Sequence, residues 1–291
     1  MAVKIAIASG KGGTGKTTVS LNLNHFLNLH YSKNTILVDC DVEEPNDRLF
    51  YPNIEEVATE EIFQMVASIK ADACTFCRDC VEYCEFNAIT VIPPVNYAKI
   101  DASLCHSCGA CFVACKQGAI IEIPNKIGDY KKFKTSDNIL LAEGQLKIGS
   151  PMQTTLIKEL KKRVELQAPM IIYDAPPGTS CPVVETISDA DFIILVTEPT
   201  PFGLHDLKLT VDLVREIDKP FGIIINKANL GFAKTHEYLQ HENITLLGEI
   251  PFSKEYASKY AQGKILQNIP SKIENVYHHI ITQLLNKLNI K

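Results

Sequence analysis

The tightest constraint on this chain lies near its start, where Gly10-Lys11-Gly12-Gly13-Thr14-Gly15-Lys16-Thr17 fits the spacing G-x-x-x-x-G-K-S/T. An apolar run, Val3–Ala8, precedes it, and Val19, Leu23, Phe26 and Leu27 follow on one face of a helix expected from Lys16 to about Asn28. Strand, glycine-rich turn and helix in that order aim backbone N–H groups and a helix amino terminus at one spot, which suits a polyphosphate. In such a loop Gly10, Gly12, Gly13, Thr14 and Gly15 shape the cradle, Lys16 reaches the β/γ-phosphates, Thr17 ligates Mg2+ and Thr18 completes the set.

Further apolar runs at Thr35–Val38, Met170–Tyr173, Phe192–Thr197, Phe221–Ile225 and Thr245–Glu249 are rich in Ile and Val with little polar alternation. That is the pattern of strands covered on both faces. Helical spacing recurs from Met152 to about Val164 and from Ser271 to Leu288. The alternation predicts an α/β fold: a mostly parallel sheet of the phosphate-loop type with helices on both faces.

Residues 60–124 break this pattern. Of ten cysteines, eight lie between Cys74 and Cys115, in two runs: Cys74, Cys77, Cys80, Cys84 and Cys105, Cys108, Cys111, Cys115. Every cysteine of the first run has a counterpart 31 positions later, as do Ala88 and Ile89 in Ala119 and Ile120. An internal duplication that keeps eight thiols in register marks a small inserted α+β module, with 1–59 and 125–291 forming the two parts of the larger domain. Each run reads C-x2-C-x2-C-x3-C, the bacterial ferredoxin arrangement, in which the fourth cysteine serves the other cluster. Cys74, Cys77, Cys80 and Cys115 are therefore expected to hold one 4Fe–4S cluster, and Cys84, Cys105, Cys108 and Cys111 a second. Zinc is the competitor, but zinc sites usually pair two C-x2-C knuckles. Glu85 and Lys116 follow the fourth cysteines where ferredoxins commonly carry proline. The charge difference, with His106 near one set, predicts a higher potential for the cluster on Cys105, Cys108 and Cys111.

The second lysine in the loop, Lys11, resembles the deviant phosphate loop of the dimerising ATPases of the MinD/ParA/Mrp/nitrogenase-iron-protein superfamily. The resemblance implies ATP hydrolysis, with Lys11 crossing a homodimer or paralogous heterodimer interface to the partner's nucleotide. It extends to Val38-Asp39-Cys40-Asp41 as a first switch, with Asp41 orienting the attacking water and Asp39 near the metal. Ile171-Ile172-Tyr173-Asp174-Ala175-Pro176-Pro177-Gly178 looks like the second switch, Asp174 holding a magnesium-bound water. Pro251-Phe252 resembles the segment that packs on the purine. Asn226-Lys227-Ala228-Asn229 lacks the aspartate a guanine-specific N-K-x-D needs, and Asn226 offers both donor and acceptor to adenine, so ATP is favoured. Cys181, seven positions after Asp174, matches a nitrogenase-iron-protein cysteine that ligates a shared cluster; packing behind the switch is the alternative. Cys40, at a strand end, is expected to be buried.

A net charge of −5 argues against a basic nucleic-acid-binding face, and no run approaches the length of a membrane span. Met1-Ala2-Val3-Lys4 runs straight into the first strand and leaves no room for a cleavable leader, so a cytoplasmic protein without stable membrane insertion is expected. Three functions fit the combined features: ATP-gated electron transfer to a redox partner, ATP-dependent delivery of Fe–S clusters to apo-proteins, or a MinD-like spatial organiser whose clusters sense redox state.

Overall fold

Alternating strands and helices take up most of residues 2–290, which the computed structural model describes. In chain order the elements are β1 (Val3–Ala8), α1 (Lys16–Leu29), β2 (Thr35–Asp39), β3 (Glu55–Ile69), α2 (Asp79–Glu82), β4 (Ile89–Ile92), β5 (Tyr97–Ile100), α3 (Ala110–Ala114), β6 (Ile120–Lys134) and β7 (Leu140–Leu146). They continue as α4 (Gln153–Val164), β8 (Met170–Asp174), α5 (Cys181–Ile187), β9 (Phe192–Thr197), α6 (Pro201–Glu216), β10 (Phe221–Asn226), α7 (Lys234–His241), β11 (Leu246–Ile250), α8 (Lys254–Ala261) and α9 (Ser271–Lys287).

The chain divides into two compact units. The first comprises Met1–Thr59, Tyr130–Gln145 and Ile157–Lys291. Its strands follow the order β11-β10-β9-β1-β8-β2-β7, and every pairing recorded among them is parallel. The apolar runs read as doubly covered strands are buried along their length: β2, β8 and β9 expose no residue. Val19, Leu23, Phe26 and Leu27 of α1 share one core with Tyr277, Ile280, Ile281 and Leu284 of α9. A parallel sheet puts all its strand carboxyl ends on one edge, where ligands of such folds bind. Here the register sets Asp39 of β2 beside Asp174 of β8, and Asp174 beside Ile7 of β1, directly before the glycine-rich loop.

The second unit comprises Glu60–Asp129 and Leu146–Leu156. The duplication is visible in its backbone. Lys70 N donates to Ala119 O and Asp101 N to Ala88 O, both at 2.8 Å, and the two bonds exchange under the 31-residue shift. β4 pairs antiparallel with β5, and their counterparts 31 residues away are the start of β6 and the end of β3, neighbours in sheet order.

β3 and β6, of 15 residues each, were not anticipated as strands. In β3 buried Ile62, Gln64 and Val66 alternate with exposed Phe63 and Met65, a period-2 pattern that a search for unbroken apolar runs passes over.

Gly248 of β11 has no room for a side chain: a Cβ there would lie 2.5 Å from Ile280 Cγ1. Gly248→Ala is expected to destabilise the protein by about 1–3 kcal/mol through overpacking. The midpoint of denaturant unfolding measures this, and an unchanged midpoint would mean that α9 does not sit against β11.

Candidate nucleotide site and cysteine-lined cavities

The loop after β1 reaches α1 through Gly15, whose φ of 97° is the left-handed conformation glycine tolerates. A Cβ at Gly15 would also strike Asn226 Nδ2 at 2.2 Å, so the loop and the end of β10 meet at a backbone with no side chain between. Gly13, Gly15, Lys16, Thr17 and Thr18 line one wall of a cavity of about 270 Å³, and Asn226, Pro251 and Phe252 line another. Thr14 Oγ1 is buried without a partner, an orphan of the kind a phosphate oxygen satisfies. Gly10, Lys11, Gly12 and Thr14 belong to the same loop but are not among the lining residues.

The Asn226 amide already has partners within the chain. Its Nδ2 donates to Thr14 O at 2.8 Å and its Oδ1 accepts from Lys227 N at 2.9 Å. Of the two atoms expected to recognise adenine, Nδ2 thus holds the phosphate loop and Oδ1 the turn that follows β10. Asn229 holds the other wall: its Oδ1 accepts from Phe252 N at 2.7 Å, and its Nδ2 donates to Phe252 O at 3.3 Å.

Asp174 accepts from Thr17 Oγ1 and Ser20 Oγ, both at 2.8 Å. Asp39 accepts from the backbone of Asp41 at 3.0 Å, Asn46 at 2.7 Å and Asp47 at 3.1 Å, which fixes the segment leaving β2. Asp47, which the sequence did not single out, is 2% exposed and its two carboxylate oxygens find no donor. Burial raises the carboxyl pKa values of Asp39, Asp41, Asp47 and Asp174, and the Asp174 charge adds to the rise at Asp39, which is pushed up to about 8. The nearby Lys16 ammonium opposes this at Asp41 and Asp174 without reversing it. Several crowded carboxylates are the oxygen ligands that suit a hard divalent cation such as Mg2+.

Lys11 is engaged within its own chain. Its Nζ lies 3.0 Å from Glu198 Oε1, while Lys227 Nζ lies 2.9 Å from Glu198 Oε2 and donates to Gly13 O at 3.3 Å. Burial pushes the Glu198 carboxyl up, but hydrogen bonds from Lys227 and Lys11 outweigh it and hold the group below its ordinary range. Glu198 was not singled out in the sequence, and Lys227 entered it only as part of the Asn226-Lys227-Ala228-Asn229 segment, with no contact to the loop assigned to it.

In the second unit the eight clustered thiols are all unbridged. Cys74, Cys77, Cys80 and Cys115 line one cavity. Cys84, Cys105, Cys108 and Cys111 line another. The loops between cysteines are wound alike: Phe76 and Arg78 have φ of 56° and 73°, and Ser107 and Gly109, 31 positions on, have 55° and 74°. Such left-handed residues turn successive N–H groups to one side, a nest for an anionic group. Among the described residues, the trio of His, Cys, Asp or Glu ligand atoms that lies within 4.8 Å of one another is His30, Glu274 and His278, and no cysteine belongs to it. Tetrahedral zinc with bonds of about 2.3 Å holds its sulfurs about 3.8 Å apart, so these cages are wider than one zinc ion needs. Apolar Ile89, Val91 and Ile120 wall them in. Phe86 stacks on His106 with ring centroids 3.9 Å apart, and both line the second cavity.

Cys40 is fully buried, with its thiol pKa raised by that burial. Cys181 is exposed at the start of α5, so it does not pack behind the switch. Among the described residues no helix is long and apolar enough to cross a membrane.

A model of the CobQ/CobB/MinD/ParA nucleotide binding domain matches residues 5–266. Two uncharacterized proteins of Methanocaldococcus jannaschii are 31% and 30% identical over 78% and 95% of this chain, and 79% and 97% of their own lengths. The iron-sulfur cluster carrier protein of Pyrococcus horikoshii is 24% identical over 85% of this chain and 73% of its own length. The structure of the cell division ATPase MinD from Pyrococcus furiosus superposes with a TM-score of 0.60 at 18% identity, covering 99% of this chain and 100% of that one, which establishes a shared fold.

The carboxyl cluster sets a pH dependence. A carboxyl whose folded pKa is raised keeps its proton where the unfolded chain has lost it, so stability falls as pH rises from the ordinary aspartate value of about 3.9 towards about 8. Glu198, with a lowered pKa, acts in the opposite sense and only below its ordinary value of 4.5. Melting temperatures of the magnesium-free protein should therefore decline from pH 5 to 8, and less steeply in Asp47→Asn. Equal slopes in the two proteins would contradict the cluster.

Proposed function

The chain belongs to the CobQ/CobB/MinD/ParA nucleotide-binding family, and on that premise we propose that it hydrolyses ATP to gate electron transfer, through two 4Fe–4S clusters, to a partner protein. One observation carries this reading: eight thiols fall into two four-cysteine cavities in one unit of a chain whose other unit holds a phosphate loop. Bound there, the clusters supply one-electron transfer; the cysteines, the wound loops and the apolar wall hold them and limit water.

At the nucleotide site Lys16 and the loop N–H groups bind the phosphates. Thr17, Asp39 and Asp174 hold Mg2+, whose charge relieves the crowded carboxylates, and Asp41 orients the attacking water. Pro251 and Phe252 lie against the purine, their backbone set by Asn229, and an asparagine there favours adenine over guanine. Lys11 acts on the nucleotide of a second subunit, either another copy of this chain or a paralogue. To reach it the lysine must leave Glu198, so closure of the dimer exchanges an ion pair within the chain for one across it. Hydrolysis then depends on the dimer, the logic of a charge delivered in trans.

A second reading is ATP-dependent delivery of Fe–S clusters. The carrier protein of Pyrococcus horikoshii favours it, as does the exposure of Cys77, Cys108 and Cys181.

The two readings separate in one experiment. Protein reconstituted without air and reduced with dithionite, the excess removed, is mixed with Mg-ATP, an oxidised redox dye as electron acceptor and an apo-iron–sulfur protein, and both iron content and oxidation state are followed. Reoxidation that requires ATP and a redox acceptor, with iron retained, is the expected result; iron lost to the apo-protein would replace it with the carrier reading. Lys11→Ala should still bind nucleotide while hydrolysis drops at least about a hundredfold, and ordinary turnover in that variant would defeat the dimer mechanism.

A further inference from the structure

At the end of α1 remote from the phosphate loop, His30 meets Glu274 and His278 of α9. One ligand atom from each lies within 4.8 Å of the other two. Glu274 and His278 are four residues apart on one helix face, with Nε2 and Oε1 at 3.7 Å, and the His30 and His278 ring centroids are 5.3 Å apart. Tetrahedral zinc with bonds of about 2.05 Å to nitrogen and oxygen needs donors about 3.3 Å apart, within a small rotation of this arrangement.

A second observation concerns protons. Tyr31 Oη donates to the carbonyl of His278 at 3.3 Å and lies 3.1 Å from its Nδ1. With the hydroxyl proton on the carbonyl, the phenol oxygen is placed to accept from Nδ1–H, which leaves Nε2 as the ring atom available to a metal. Nε2 stands 3.7 Å from the Glu274 carboxylate oxygen, so a proton or a metal ion can join the two. The ring's other nitrogen has the oxygen partner that metal-bound histidines commonly have. Phe26 closes one side, its ring 5.2 Å from His30 and 5.3 Å from His278. The backbone N–H of His30 bonds Phe26 O at 2.8 Å and so fixes the residue at the helix end.

We infer that His30, Glu274 and His278 bind a divalent transition-metal ion of the zinc class, clamping the end of the phosphate-loop helix to α9. Two imidazoles and one carboxylate suit zinc and its neighbours and do not suit Mg2+, which prefers oxygen alone. With 14 residues in α1, the site lies about 20 Å along the helix from the phosphate loop and is separate from the magnesium there.

The test uses the full, cluster-loaded chain without air, with zinc alone or magnesium alone as the probe. Zinc at a hundredfold excess over its dissociation constant should raise the melting temperature by about 5 °C, and magnesium should not. His30→Ala and His278→Ala should each retain one zinc fewer per chain after gel filtration and lose the shift. Tyr31→Phe, which keeps all three ligands, should bind zinc about tenfold more weakly. The zinc absorption edge of the wild type should report nitrogen and oxygen neighbours. Equal zinc retention in wild type and both alanine variants, or sulfur neighbours at the edge, would overturn the site; a histidine–glutamate salt bridge alone would leave the melting temperature indifferent to zinc.

Discussion

Buried carboxylates at the ends of parallel strands are the constraint around which the nucleotide unit is built. Register places Asp39 and Asp174 side by side, and backbone donors from Asp41, Asn46 and Asp47 tie the segment leaving β2 to Asp39. The crowding is electrostatically unfavourable by itself, as the upward pKa shifts record. In the proposed mechanism a divalent cation brought with a nucleotide would remove that penalty and draw the loops after β1, β2 and β8 into one arrangement. Binding energy and switch geometry would then have the same source.

The same economy of charge governs Lys11. A bare lysine in a glycine-rich loop would wander; here Glu198 holds it, and Lys227 shares the carboxylate. The ion pair is partly exposed, with Lys11 at 31% and Glu198 at 14%, and exposed pairs are worth at most about 1 kcal/mol. A hold that weak restrains the side chain yet yields to a stronger anion, as the proposed move of Lys11 to another subunit's nucleotide requires.

The fold was legible where a single rule decided it. Unbroken Ile- and Val-rich runs located β1, β2, β8, β9, β10 and β11 to within a residue or so, because strands covered on both faces have no alternative composition. The glycine-rich loop and the 31-residue cysteine repeat were legible for the same reason: each is a local spacing with its own geometry. What the sequence hid depends on long-range register. The middle of β3 alternates and β6 mixes polar with apolar residues rather than running apolar, and Asp47 and Glu198 are ordinary surface types until the fold brings them to the site. Asn226 was located at the site but not in its contacts, since composition does not say that Thr14 O would occupy its amide.

The proposed function needs two four-iron clusters in the same chain as the nucleotide site. Iron analysis and the Mössbauer spectrum of protein loaded with iron-57 without air test it most directly. About eight irons per chain, all in 4Fe–4S environments, falling to about four when Cys115→Ser opens one cage, is the predicted result. Zinc in place of iron, or a Cys115→Ser protein with the same iron content as the wild type, would contradict it.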